Sequence, residues 1–351
     1  MDLLSSNSST QSHRVIFQTS RVVGPTNCSH LEKGSSYHFV LIPILYMLIF
    51  ITGVVGNMII LVGLTCLHKT SVANIYIVNL AIADLFFLTT LPLWAVDLAG
   101  KYKWIFGSTM CKLCGVMSTV NMYASIFLIT CLSIDRYFCI VCPMESLKKR
   151  TLIKARIVAL LIWISAFVMS SPSMYFRQTY YSHYSRQIIC GMRYPPNSLF
   201  WPIFLDSMKY VVGFVIPFLV QGICYCMIYK IILESAKNKV KKSKSDKILK
   251  VVVSMVLAFL ICWLPLHILN IFKWLARFGI ITNCGTIHSL NVVIPFTLCA
   301  AFSNSCVNPV LYCFAGKRFQ RQFVKALKGS INRSKRSINR AKRSINRAKS
   351  L

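Results

Sequence analysis

Acidic residues are scarce in this chain: nine Asp and Glu stand against forty Lys and Arg among 351 residues, a formal charge of +31. Charged residues of both signs reach only 14%, well under the ~25% of an ordinary soluble domain. A positive excess of that size in a soluble chain would point to nucleic acid. The apolar runs are too long for a DNA-binding fold, so no nucleic-acid partner is expected. The shortage of acids removes the paired carboxylates of acid–base catalysis. No Ser/His/Asp or His-Glu-x-x-His constellation is visible either, so the chain does not read as an enzyme. A proton-coupled transporter would need a relay of intramembrane acids, a channel would need a filter or ring of like residues, and many carriers show an inverted repeat. None of these is visible. With 55% hydrophobic residues, what remains is a polytopic membrane protein.

Seven apolar stretches reach the ~20 residues that a helix needs to cross ~30 Å of hydrocarbon: roughly 39–66, 73–98, 107–139, 153–173, 203–232, 248–276 and 286–314. Strands of a membrane barrel would be about ten residues long with strict alternation, and runs such as Val251–Cys262 do not alternate. The expected fold is an all-α seven-transmembrane helix bundle with a short amphipathic interfacial helix. Basic residues cluster after the first, third, fifth and seventh spans: at Lys69, at Arg136 and 148–156, at 230–250, and from Lys317 onward. The positive-inside rule makes those segments cytoplasmic and the N-terminus extracellular. No positive n-region precedes an apolar core, so the first span itself directs insertion. Asn7-Ser8-Ser9 and Asn27-Cys28-Ser29 are glycosylation acceptors on the same outer side. The expected organisation is an extracellular glycosylated tail (1–38), the bundle (39–314), an amphipathic helix (315–328) and a disordered polybasic tail (329–351) in a multi-pass plasma-membrane protein.

The fifteen cysteines divide by compartment. Most lie in spans or at cytoplasmic ends, where thiols stay reduced or pack as small hydrophobes. Cys28, Cys111, Cys190 and Cys284 lie on the outer side, and four oxidisable cysteines allow three pairings. Beyond the seventh span, Phe319, Phe323 and Leu327 share one helical face and Lys317, Arg318, Arg321, Lys325 and Lys328 the other, which suits the membrane interface. Residues 330–350 repeat a seven-residue unit (SINRSKR, SINRAKR, SINRAKS) that cannot form a core. Anionic membrane lipids would attract both segments.

Intramembrane polar residues are expensive and therefore point to function. Asp84 sits mid-span, Asp135-Arg136-Tyr137 ends the third span, and Asn57, Asn121, Ser125, Asn304, Ser305 and Asn308 lie at similar depth. The seventh stretch has no lysine, which excludes a retinal Schiff base. No acid lies between Cys111 and Asp135, which disfavours an aminergic ligand. Taken in order, Gly56-Asn57, Leu80-Ala81-Ile82-Ala83-Asp84, Cys111 with Asp135-Arg136-Tyr137, Trp163, Pro217, Phe259 with Cys262-Trp263-Leu264-Pro265, and Asn308-Pro309-Val310-Leu311-Tyr312 supply one motif per span. This series resembles the class A (rhodopsin-like) G-protein-coupled receptors over residues 40–328. The segments 91–96, 121–137, 255–269 and 302–320 are similar to the angiotensin receptors, with type 2 the nearer of the two.

The resemblance implies a receptor for a small extracellular peptide that signals through a heterotrimeric G protein and arrestin. It implies the disulfides Cys111–Cys190 and Cys28–Cys284. It implies a pocket with Trp94, Arg177 and Lys209, the last two meeting a peptide carboxylate and backbone, and with Tyr46 and His267 in the same cavity. Asp84, Asn57, Asn121, Ser125, Asn304, Ser305 and Asn308 resemble the family's sodium-binding cluster, the one bound ion expected; a water-filled polar network is the plainer reading. Phe259, Trp263, Pro265, Asn308, Pro309, Tyr225 and Tyr312 resemble the activation machinery around Arg136, which Asp135 holds when inactive. Ser245 stands where an acid usually completes that lock. There is also a departure. Angiotensin receptors carry acids high in the sixth and seventh spans against a ligand arginine, and those positions here are Lys273 and Asn291. Either the ligand is oriented differently, or Asp97 or Asp206 substitutes, or the ligand is not angiotensin II. A bradykinin-, apelin- or chemokine-like peptide receptor and a non-coupling scavenger are the alternatives.

Overall fold

The computed structural model describes residues 37–65, 71–144, 150–182, 185–196, 198–236 and 245–314. The expectations for Asn7, Asn27, Cys28, the interfacial helix and the polybasic tail fall outside these residues. Among the described residues, seven helical segments are long and apolar enough to cross a membrane: His38–Thr65, Val72–Ala99, Gly107–Val141, Leu152–Phe176, Phe200–Ile231, Val253–Arg277 and Cys284–Leu311. Their outward faces are lined with exposed large apolar side chains such as Ile51, Leu161 and Ile261. In hydrocarbon such side chains carry no penalty, so helix association rests on close packing and hydrogen bonds. The third span sits centrally, packing against the second, fourth, fifth and sixth.

Several helices run past the apolar windows read from the sequence. The fifth span extends to Ala236, and the sixth runs over Ser245–Arg277. Polar flanks end an apolar window without ending a backbone ladder, since peptide groups gain as much from intrahelical bonds in the headgroup region. The second span divides into α2, Val72–Leu88, and α3, Leu91–Ala99. Pro92 lacks the N–H that would reach the carbonyl of Leu88. At this break Thr89 and Thr90 donate their hydroxyls to the carbonyls of Phe86 and Phe87 at 2.8 and 2.7 Å. In the fifth span, α6 (Phe200–Tyr210) passes through a π-helical turn at Val211–Val215 into α7, Ile216–Ala236. Such a widened turn directly precedes Pro217.

Close contacts fall at small residues. A Cβ on Gly56 would lie 2.8 Å from Pro309, and one on Gly53 the same distance from Leu88. Trp163 of the fourth span donates to Asn79 Oδ1 of the second at 2.9 Å, and Gln221 of the fifth donates to Thr130 Oγ1 of the third at 2.7 Å. Outside the bundle a hairpin, absent from the sequence reading, joins β1, Arg177–Ser182, to β2, Gln187–Met192, in antiparallel register with Thr179 opposite Cys190. The Cys111–Cys190 disulfide, with Cα atoms 5.7 Å apart, fastens β2 to the top of the third span. Cys284 is also disulfide-bonded, while its expected partner Cys28 lies outside the described residues.

Candidate functional site

Arg177 follows the last turn of the fourth span and opens β1, so the hairpin brings its side chain back over the bundle. Its guanidinium lies 4.8 Å from the ring centre of Trp94, a cation–π arrangement, and Nε donates to Cys190 Sγ at 3.5 Å. The stem passes so close to the third span that a Cβ on Gly115 would collide with Arg177 Cδ. Burial lowers the pKa of Arg177, and the charges of Cys114 and Asp97 act in the opposite direction. Gly115 was missed in the sequence. Its one signal there is a glycine inside a helix, which costs about 1 kcal/mol against alanine and needs a reason.

Tyr46, buried in the first span, belongs to a cluster with Phe87, Leu91 and Ala95 against which Trp94 packs. Asp97 lies one turn beyond Trp94. It is 7% exposed, and neither its Oδ1 nor the Trp94 indole N–H has a hydrogen-bond partner among the described residues. Tyr46, Trp94 and Arg177 therefore gather on the side of the first two spans. Lys209, Lys273 and His267 gather between the fifth and sixth. Lys209 pairs with Asp206 at 3.3 Å, and Trp274 Nε1 donates to the other oxygen of Asp206 at 3.0 Å. Arg277 lies 5.1 Å over the Trp274 ring. His267 is buried deeper, with its ring 4.5 Å from Phe214 and 6.2 Å from Trp263. Asn291 is half-buried on the outer part of the seventh span. Tyr194, after β2, bridges the two groups. Burial and Asp206 raise its pKa, while Arg277 and Arg177 lower it.

In mid-membrane the polar residues converge on one carboxylate. Asp84 Oδ1 accepts from Asn121 Nδ2 at 2.9 Å and Ser305 Oγ at 2.8 Å, and Oδ2 accepts from Asn308 Nδ2 at 3.0 Å. Asn121 also donates to Ser125 Oγ at 3.3 Å. The carbonyl of Ser305 would bond the N–H that Pro309 lacks; Asn57 Nδ2 fills that place at 2.8 Å. The amide oxygens of Asn57, Asn304 and Asn308 are buried with no partner among the described residues. A carboxylate ringed by spare oxygens suits a hard monovalent or divalent cation better than any soft one. Above it, Trp263 and Phe259 stack at 5.7 Å, with Phe218 5.9 Å from Phe259. Pro265 interrupts the same helix one turn above Ile261.

At the C-terminal end of the third span Asp135 accepts from Arg136 at 2.5 Å. It also accepts from Arg150 through both oxygens, at 2.6 and 2.9 Å. Arg150 was read from the sequence as a topology charge only; nothing in its spacing shows that it returns to Asp135 from the start of the fourth span. Burial pulls the pKa of Arg150 down, but the bonds and charge of Asp135 outweigh that and hold it above the ordinary arginine value. Tyr225 of the fifth span meets Ser133 Oγ at 2.8 Å, beside Arg136. Tyr137 packs on Phe138 and is half-buried. Tyr312, Ser245 and Asp246 are placed by their backbone alone.

The chain matches the model of the 7 transmembrane receptor (rhodopsin family) over residues 56–312. It is 43% identical over 299 residues to the type-2 angiotensin II receptor of Meriones unguiculatus, covering 84% of this chain and 81% of that protein. The human type-2 angiotensin II receptor is 42% identical with the same coverage. The type-1 angiotensin II receptor A of Xenopus laevis is 39% identical over 304 residues, 86% of this chain and 83% of that one. Seven spans, a hairpin tied to the third of them and one buried carboxylate joining three spans agree with that match: the chain belongs to the 7 transmembrane receptor (rhodopsin family), whose members are receptors and not enzymes.

Proposed function

We propose that the chain is a receptor for a small extracellular peptide, of the angiotensin kind, that passes binding to a heterotrimeric G protein and to arrestin. The observation that carries this reading is Arg177, held under the hairpin between Trp94 and the bare backbone of Gly115. A planar guanidinium in a low-dielectric cleft is a fork for a carboxylate. The relatives, angiotensin II receptors, support a peptide as the carrier of that carboxylate. Lys273 and Asn291 favour a second reading within the class, a peptide other than angiotensin II, because a lysine repels the arginine that an acid would attract.

A ligand shifts the bundle only through contacts that differ between its two arrangements. Trp263 and His267 lie below Lys273 on the sixth span, and their rings lead down to Phe259 and Phe218. Below that, Asp84 links the second, third and seventh spans. It would hold a sodium ion together with Ser125 and the spare oxygens of Asn304 and Asn308; the ion would neutralise the carboxylate and stabilise one arrangement. At the inner face Arg136 leaves Asp135 to meet the G protein. The N-terminus is extracellular in this scheme, with Asn7 and Asn27 glycosylated.

Agonist-stimulated nucleotide exchange in reconstituted membranes tests the reading. Arg136→Ala should abolish exchange while leaving peptide affinity within about threefold, and Arg177→Ala should lower affinity at least about tenfold. Full exchange in the Arg136 variant would remove the coupling mechanism, and unchanged affinity in the Arg177 variant would remove the pocket.

A further inference from the structure

Two opposite charges at the hairpin end of the bundle stand beside one indole without being paired. Arg177 lies 4.8 Å over the Trp94 ring, and its Nε donates to Cys190 Sγ, a weak acceptor. Asp97 follows Trp94 by three residues on α3, a spacing that sets their Cβ atoms about 5–6 Å apart on one face. Asp97 Oδ1 is buried without a donor, and the Trp94 indole N–H is buried without an acceptor, among the described residues. The ion pairs of those residues fall on Asp135 and Asp206, so neither Arg177 nor Asp97 takes part in one.

The backbone fixes this arrangement. After α3, Lys101 and Tyr102 take left-handed φ values of 57° and 69°, which side-chain-bearing residues adopt only where their surroundings impose it. Tyr102 N–H donates to the Asp97 carbonyl at 2.8 Å, and Trp104 N–H to the Ile188 carbonyl at 2.9 Å. Gln187 Nε2 donates to the Lys101 carbonyl at 2.7 Å. The last two bonds tie the turn to β2, the partner of the strand that Arg177 opens. The end of the second span and the hairpin are one hydrogen-bonded unit, so Arg177 and Asp97 keep their spacing across Trp94.

We infer that Arg177, Trp94 and Asp97 form one site for a zwitterionic ligand segment, in which Arg177 takes a carboxylate and Asp97 takes a guanidinium or ammonium group nearby. This deepens the peptide-receptor reading and rests on it for the carboxylate. It also decides between the two acids that could replace those missing from the sixth and seventh spans. Asp206 has one oxygen on Lys209 and the other facing the Trp274 indole N–H, whereas Asp97 keeps a buried oxygen with no donor. A buried charge without a partner is costly, and a ligand that brings the opposite charge removes that cost on binding. An extended chain advances about 3.3–3.6 Å per residue. The ligand's cation therefore belongs within about three residues of its carboxylate.

The test measures the Tm of the purified full-length receptor with three capped dipeptides at millimolar concentration. They are acetyl-Phe-Arg with a free carboxylate, its C-terminal amide, and acetyl-Phe-norleucine with a free carboxylate. The first should raise the wild-type Tm by about 2–4 °C, and the other two by less than half as much. Asp97→Asn should reduce the arginine acid to the shift of the norleucine acid, and Arg177→Gln should reduce it to that of the amide. Asp97→Glu, which restores the charge, should recover part of the difference. Equal shifts from the two acids in the wild type, or a difference that Asp97→Asn leaves intact, overturn the site but leave Arg177 as a carboxylate fork and the receptor reading in place. No shift from the arginine acid overturns the site as well. If the shift depends on both residues while angiotensin II neither binds nor drives exchange, the site stands and the angiotensin-kind reading falls. The N-terminal segment has cations of its own, Arg14, Arg21 and Lys33. Should Arg14→Gln/Arg21→Gln/Lys33→Gln lower the ligand-free Tm in the wild-type background and not in Asp97→Asn, the chain itself supplies the cation and the ligand assignment is overturned. Equal effects in both backgrounds support it.

Discussion

Two acids on the second span, Asp84 and Asp97, are both buried, yet their surroundings differ. Asp84 accepts hydrogen bonds from Asn121, Ser305 and Asn308. Asp97, beyond the break at Pro92, has a buried oxygen that accepts none among the described residues. A buried charge-bearing acceptor without a donor is costly, so the middle of the bundle is satisfied by its own side chains and the outer end is not. On the proposed reading, the difference separates a joint that holds the spans together from the surface that the peptide completes.

The sharpest way to break this comparison is to remove each acid. Asp84→Ala strands three donors from two other spans. A hydrogen bond to a charged group contributes about 1.5–3 kcal/mol, and about 1.4 kcal/mol shifts a population tenfold. Agonist-stimulated exchange should therefore fall by well over tenfold while peptide affinity changes less than about threefold. Asp97→Ala should do the reverse, lowering or altering peptide selectivity with exchange at saturating agonist preserved. The same readout for both variants would mean that the two regions do not divide the work.

Gly115→Ala probes the outer region alone. The added methyl would collide with Arg177 Cδ, and overpacking of this kind costs about 1–3 kcal/mol. Affinity for a peptide with a free C-terminal carboxylate should fall about tenfold, and that for the C-terminal amide much less. Adding Arg177→Lys, whose stem can take another course, should recover part of the loss. An equal loss for both peptides would show that the variant damages the bundle rather than the fork.

Asn57 tests the satisfied region more gently. Asn57→Ala removes the donor that serves the Ser305 carbonyl, worth about 1 kcal/mol, and should lower the Tm of the purified receptor by about 2–4 °C. Adding Pro309→Ala restores an N–H that can reach the same carbonyl, so the double variant should lose less than the sum of the two single ones. Simple additivity would show that the bond to Asn57 is not standing in for the one that proline lacks.

What was legible in the sequence follows the same division. Span number and the convergence on Asp84 could be read because both depend on hydrophobic run length and on one motif per span at matching depth. The place of Arg177 could be stated only by resemblance, since its partner Gly115 shows itself by lacking a side chain and the hairpin that carries it has no alternating apolar pattern. The sequence leaves Asp206 open as a ligand acceptor, because the Trp274 indole on its second oxygen lies 68 residues away. Residues that meet across distant segments leave no local period to read. The same holds for Arg150, which counted only as a positive charge on the cytoplasmic side.

Arg150 gives the smallest effect and extends the comparison to the inner end, where a third acid is shared. Asp135 accepts from Arg136 and, through both oxygens, from Arg150. Two guanidinium groups on one carboxylate compete, so each weakens the hold on the other. Arg150 is about a third exposed in its side chain, and solvent-screened pairs contribute about 0.2–1 kcal/mol. Arg150→Ala should leave Asp135 wholly to Arg136 and lower agonist-independent exchange about twofold, with peptide affinity unchanged. Arg150→Lys, which keeps the charge but loses the two-pronged contact, should fall between the two. A rise in basal exchange on removing Arg150 would mean that this residue helps to fix Asp135 in place for Arg136, and that the inner end, like the middle, is one satisfied network rather than a contest for a single acceptor.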